Sequence, residues 1–223
     1  MVSTLRWERC FRVIASKYPT VSVYDRITDA KHFEALLEVE ALTNPRVREE
    51  AGDFRKIRPE DRIAGPGSTP VMASFAYSGP SRFCDGTYGV FYAGHEYETA
   101  VAESLYHTEL FLRATREPGI DVDKRVYEAA LKGRFDDVRS KAMRSKLYDP
   151  VDYAYSQKYA RRVYETNAVD GIVYRSVRRQ AGECCAAFRP RSIANMKIYR
   201  YIQFRWDGEK IVGTAALTEI RGV

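Results

Sequence analysis

A glycine-flanked aromatic run feeding straight into an acidic helix start constrains this chain more than any other stretch. It spans residues 81–103, SRFCDGTYGVFYAGHEYETAVAE. Residues 88–92, Tyr-Gly-Val-Phe-Tyr, are rich in aromatic and β-branched side chains and predict a short strand. After Gly94, residues 96–103 predict a helix whose first turn is acidic, as the helix dipole prefers. Arg82 precedes the strand in a turn-rich segment with Gly79, Pro80 and Gly86 around it. A strand joined to a helix by a short loop fixes side chains rigidly, which makes such a junction a common place for a site.

Around this unit the pattern predicts a mixture of strands and helices. Residues 11–14 predict an early strand, and residues 21–27 a second strand or an extended arm. Thr28 is placed to cap a helix to about Leu42, which Asn44-Pro45 stops. Several Gly and Pro make residues 52–70 a long loop, followed by a strand over 72–77. The helix from Glu96 continues to Leu112; a strand covers 125–131 and a second helix 153–166. Strands follow at 171–175, 184–188 and 197–206, and Asp207-Gly208 turns the last back along 210–216. Without regular βαβ alternation this is an α+β chain, a compact mixed sheet with flanking helices.

At 223 residues, 45% hydrophobic and 30% charged, the chain has the length and composition of a single soluble globular domain. The net charge of +6 is spread among acids, as in Arg46-Val-Arg-Glu-Glu50. There is no basic block to track a nucleic-acid backbone, and the arginines suit a phosphorylated small molecule better. The four cysteines, at 10, 84, 184 and 185, lack ligand-like spacing, and with three histidines they argue against a zinc site. On a strand, Cys184 and Cys185 face opposite sides. No secretory h-region or membrane-length apolar run is present, so the expected location is the cytoplasm, with reduced thiols.

The same residues resemble a known family. Arg82-Phe-Cys-Asp-Gly86, then Gly89-Val-Phe-Tyr-Ala93, then Glu98-Thr-Ala-Val-Ala-Glu103 resemble the central motif of RES-domain proteins, the toxin halves of RES–Xre toxin–antitoxin pairs. Downstream, Gly171-Ile-Val-Tyr-Arg-Ser-Val-Arg178 resembles the family's late strand ending in a serine, and Cys184-Cys-Ala-Ala-Phe-Arg-Pro190 its closing strand. The resemblance runs from about Arg12 to Pro190. It implies one RES-type domain over residues 1–223, with an N-terminal extension of about 1–20 and a C-terminal hairpin of about 197–216. It also implies a fold like that of ADP-ribosyltransferases and NAD as substrate, without a metal. The implied reaction is cleavage of the nicotinamide–ribose bond by water or phosphate. Alternatives are ADP-ribosylation of a host protein, or a non-catalytic module that holds a nucleotide or its antitoxin. The implied partner is an Xre-type antitoxin.

These residue types suit that chemistry. Arginine offers a planar charged fork to a pyrophosphate. Breaking the glycosidic bond develops an oxocarbenium-like ribose, which a carboxylate can stabilise. By motif, Glu103 is the catalytic carboxylate; by itself it is as well explained as a solvated helix residue paired with His107 one turn on. Glu98 is the second choice, since the helix dipole accounts for it. Arg82 is assigned to phosphate or ribose, against the simpler reading of a surface pair with Asp85; the family's Gly before it and Asn after it are absent here. The family's N-terminal arginine matches either Arg12 or Arg26, with a slight lean to Arg26. Tyr92 and Tyr88 are candidates for the nicotinamide platform, and Ser176 for orienting ribose or carboxylate. Arg178 and Arg179 fit either a solvated edge or phosphate ligands. Residues 65–70 lack the Lys-Ser/Thr of a phosphate loop and are set aside.

Overall fold

The computed structural model describes residues 1–16, 56–77 and 79–217. The strand or arm expected at 21–27 and the helix expected at 28–42 lie outside the described residues, as does Arg26. Within them the order is β1 (Val2–Ala15), α1 (Ser68–Ala76), β2 (Phe91–Gly94), α2 (Tyr97–Thr115), β3 (Ile120–Asp137), α3 (Ala154–Glu165), β4 (Gly171–Arg175), β5 (Glu183–Ala187), β6 (Ile193–Trp206) and β7 (Ile211–Leu217). The sheet is mixed, with β3–β4 the parallel pair among antiparallel ones, and the α+β expectation holds.

Strand order is β1-β2-β5-β4-β3-β6-β7, and β1 also pairs along β3, from Val2 opposite Asp136 to Ala15 opposite Lys124. The pairings β1–β2–β5–β4–β3–β1 therefore close on themselves, and the β6–β7 hairpin continues outward from β3. The segment expected as an N-terminal extension is thus built into the sheet. A bulge between Trp7 and Cys10 re-phases β1. Leu5, Trp7 and Cys10 share one core cluster, while Arg9 turns outward to Glu128 at 2.8 Å. Beyond the bulge Phe11 packs into a second cluster, with Ala100 of α2 and Val126 of β3.

Two apolar layers sandwich β4 and β5. Cys185 and Ala187 join Phe75, Phe91 and Phe135 on one side; Cys184 and Ala186 join Phe83, Tyr88, Tyr148 and Phe188 on the other. The opposite facing of the paired cysteines follows from strand alternation.

One expected strand is wrong. Residues 72–76 belong to α1, which starts behind the left-handed Gly67, and Tyr77 caps its end. Val71, Met72, Phe75 and Ala76 are buried at helical spacing, so tertiary packing overrides an apolar run that is ambiguous by itself. The aromatic strand is also shorter than expected: Tyr88 and Gly89 precede β2. Gly89 is required where it sits, because a Cβ there would come within 2.3 Å of the Phe75 backbone. At the end of β2, a Cβ on Gly94 would stand 2.6 Å from the Ala100 amide. This glycine is what lets the first turn of α2 pack directly on the strand.

Candidate active site

The β2–α2 junction opens into a cleft of about 1150 Å³. Arg12 of β1, Arg82, Tyr92 of β2, Glu103 of α2, Tyr174 of β4 and Cys184 of β5 all line it. Ser176, just beyond β4, reaches Glu103 from behind: its Oγ lies 2.6 Å from Glu103 Oε1. The Ser176 oxygen also accepts the backbone N–H groups of Arg178 and Arg179, each at 3.0 Å. With both lone pairs taken, the hydroxyl proton points to the carboxylate, so Ser176 donates to Glu103. The Cys184 thiol adds a weak contact at 3.9 Å. Burial beside Glu103 holds that thiol protonated, its pKa well above the usual value.

Arg82 is 7% exposed. Its Nη1 donates to the carbonyls of Asp149 at 2.8 Å and Leu147 at 3.3 Å, and the guanidinium lies 4.6 Å from the Tyr153 ring centre. The expected alternative, a pair with Asp85, does not form. Asp85 accepts from Thr87 and pairs with Arg161 at 3.3 Å. Arg82 thus enters the cleft wall bonded to carbonyls and a ring, not to a carboxylate.

Tyr92 braces the same turn. Its hydroxyl meets Ser81 Oγ at 2.9 Å and accepts the Phe83 N–H at 2.9 Å. Burial raises its pKa, so it stays a phenol. Gln157 of α3 donates to the Ser81 carbonyl at 2.9 Å, anchoring the turn from the other side. Arg12 donates to the Tyr92 carbonyl at 2.9 Å and lies 5.1 Å from the Phe91 ring centre. Burial lowers its pKa to about 10, which still leaves it charged at neutral pH.

The structure brings Glu103, Ser176, Arg82, Tyr92 and Arg12 together. It does not bring Tyr88. That side chain is 2% exposed, donates to the Phe83 carbonyl at 2.8 Å and stacks on Tyr164 with ring centres 4.1 Å apart. The reason is that Tyr88 lies outside β2, in the chain that crosses α1, so it does not share the Tyr92 face. Glu98 is exposed in the first turn of α2. Arg179 turns to Thr99 at 3.0 Å and Glu96 at 3.5 Å.

Among the cleft residues given no site role from the sequence are Tyr106, His107 and Tyr153. Tyr106 and His107 stand three and four positions beyond Glu103, a helical spacing that puts them on its side of α2. That signal was available for Tyr106, and His107 was seen only as a partner for Glu103. Desolvation by the cleft walls lowers the His107 pKa, against the upward pull of Glu103. Nothing local marks Tyr153, which reaches the cleft only because α3 packs beside the Arg82 turn. Among the described residues no group of three His, Cys, Asp or Glu side chains is placed to hold a metal ion, and no helix is long and apolar enough to cross a membrane.

Two guanidinium groups and the Ser176-held carboxylate, in a cleft that Asp121, Asp123 and Lys124 also line, define a mixed α+β protein with a polar, charged cleft of a size for a small molecule. Residues 59–207 match the RES domain. The chain is also 30% identical over 207 residues to the uncharacterized protein y4oC of Sinorhizobium fredii, a match covering 90% of this chain and 84% of that relative. The chain belongs to the RES-domain family, whose domain is a toxin–antitoxin-related, NAD-related module. Arg82, Tyr92, Glu103 and Ser176 fall inside the matched region; Arg12 falls before it.

Proposed function

We propose that this protein is a toxin that binds NAD in the cleft and cleaves its nicotinamide–ribose bond, with water or phosphate as acceptor. One observation carries the reading: the Ser176-held Glu103 carboxylate shares a cleft with Arg82, a buried arginine that among the described residues bonds carbonyls and a ring and no carboxylate. The arginines take the pyrophosphate. The C–N bond breaks with its electron pair passing to the nicotinamide nitrogen, which becomes neutral as positive charge develops on the ribose. Glu103, fixed in orientation by the Ser176 proton, stabilises that charge and orients the incoming water or phosphate. Because Ser176 gives its proton to Glu103, it is a positioning group and not the acceptor. Tyr92 holds the Arg82 turn and presents a neutral phenol to the substrate. The four cysteines are buried free thiols, in keeping with action in the reducing cytoplasm. An Xre-type antitoxin is the partner that this reading calls for.

The test is nicotinamide release from NAD by purified protein beside a Glu103→Gln variant. Release should fall on the order of 10²–10³-fold in the variant without loss of folding. Free ADP-ribose, a phosphorylated ADP-ribose or a modified protein among the products identifies the acceptor. A Glu103→Gln variant that turns over NAD undiminished removes the assignment. Nucleotide binding without release by the native protein establishes a non-catalytic module instead.

A further inference from the structure

Arg178 sits at a meeting of three elements around the cleft. Its guanidinium carbon lies 3.3 Å from the Tyr106 ring centre, and it donates to the Pro150 carbonyl. The Tyr106 hydroxyl donates to the same carbonyl at 3.4 Å. Tyr106 lines the cleft and Arg178 does not, so the arginine backs the ring from outside.

The connections on either side of this stack reach both halves of the site. On one side, the Arg178 N–H is one of the two that occupy the lone pairs of Ser176, the group that holds Glu103. On the other, Pro150 follows Asp149, whose carbonyl accepts from Arg82, and precedes Tyr153, whose ring stacks on Arg82. The Asp149 carboxylate accepts the Val151 and Asp152 N–H groups, so this loop is tied within itself. Tyr106 itself is on α2, three residues beyond Glu103, on the same face.

We propose that Arg178 is a positioning residue, a latch that ties the Ser176–Glu103 side of the cleft to the loop carrying the Arg82 contacts. The requirement is for arginine specifically. A planar guanidinium stacks on a ring while donating in its own plane, and an ammonium does not. Misplacing either half by a fraction of its contact distance lowers the rate without removing any group that touches substrate. The kinetic part of this inference rests on the NAD reading; the mechanical part does not.

The experiment compares Arg178→Ala, Arg178→Lys and Tyr106→Leu with the native protein by amide hydrogen exchange without ligand and by steady-state nicotinamide release from NAD. In Arg178→Ala, exchange should rise together over residues 147–153 and 176–182 and stay unchanged in β3. Turnover should fall on the order of 10- to 100-fold, with KM little changed. Lysine should rescue little. Combining Arg178→Ala with Tyr106→Leu should cost no more than the larger single effect, because both remove one latch. Unchanged exchange, loosening of one segment alone, full rescue by lysine, or additive losses each overturn the proposal. If the native protein releases no nicotinamide, the NAD reading falls, and the paired exchange response by itself decides the latch.

Discussion

Arg82 and Arg189 are both buried, yet they do opposite things. Arg189, 1% exposed, pairs with Asp61 at 3.0 Å, donates to Asn167 at 2.6 Å and lies 4.9 Å from the Tyr164 ring centre. Its charge is answered inside the protein, behind the sheet and away from the cleft. Burial nevertheless keeps the Asp61 carboxyl above its ordinary pKa, outweighing the pull of Arg189 and Arg191. Arg82 is nearly as enclosed but bonds carbonyls and a tyrosine face, whose partial charges steady a cation without cancelling it. On the proposed reading, the difference separates a structural arginine from one kept for an incoming anion. What distinguishes them, among the described residues, is the absence of a carboxylate and not the degree of burial.

The comparison breaks most sharply at Asp61. Asp61→Ala strands the Arg189 charge in the interior and should destabilise the fold by about 3–5 kcal/mol, read by chemical denaturation. Whatever remains folded should handle NAD normally. Arg82→Lys works the other way. It keeps the charge but loses the planar guanidinium whose Nη1 reaches two carbonyls and whose other edge the NAD reading gives to the pyrophosphate, so KM for NAD should rise about tenfold with a modest change in thermal midpoint. A stability loss matching that of Asp61→Ala would make Arg82 structural as well. The finest distinction lies between two tyrosines. Tyr88→Phe should cost about 1 kcal/mol for its hydroxyl bond to Phe83 and leave turnover alone. Tyr92→Phe, which frees the Arg82 turn from two contacts, should lower turnover. Equal kinetic effects would mean that Tyr88 is wrongly assigned to the core.

Legibility in the sequence followed how local each determinant is. β4 could be read at its observed limits because Gly171-Ile-Val-Tyr-Arg175 is a β-branched and aromatic run opened by a glycine. The final hairpin announced itself through Asp207-Gly208, where Asp207 accepts the Glu209 and Lys210 N–H groups. β3 was seen only in part. Its first half carries Asp121 and then the charged run Asp123-Lys-Arg125, and these charges sit in a sheet because β6 supplies partners such as Gln203 to Asp123 at 3.0 Å. α1 was misread because an apolar run carries no period of its own. In the site, Glu103 and Ser176 stood in motifs, and Arg12 was one of two open choices. Tyr153 and the Arg178 latch depend on loops that meet only after folding, and no spacing in one segment encodes such a meeting.

The closed ring of strands has a consequence for how the protein is made. β1 leaves the ribosome well before its long partner β3, which starts at Ile120, and the strand that completes the circle, β5, ends at Ala187. Contacts so distant in sequence form slowly and late. Arg12, Glu103 and Ser176 therefore cannot face one another while the chain is being synthesised, and a fragment ending before β5 has no route to a working cleft. On the NAD reading, the protein would in this way stay harmless to its own producer until β5 has been translated.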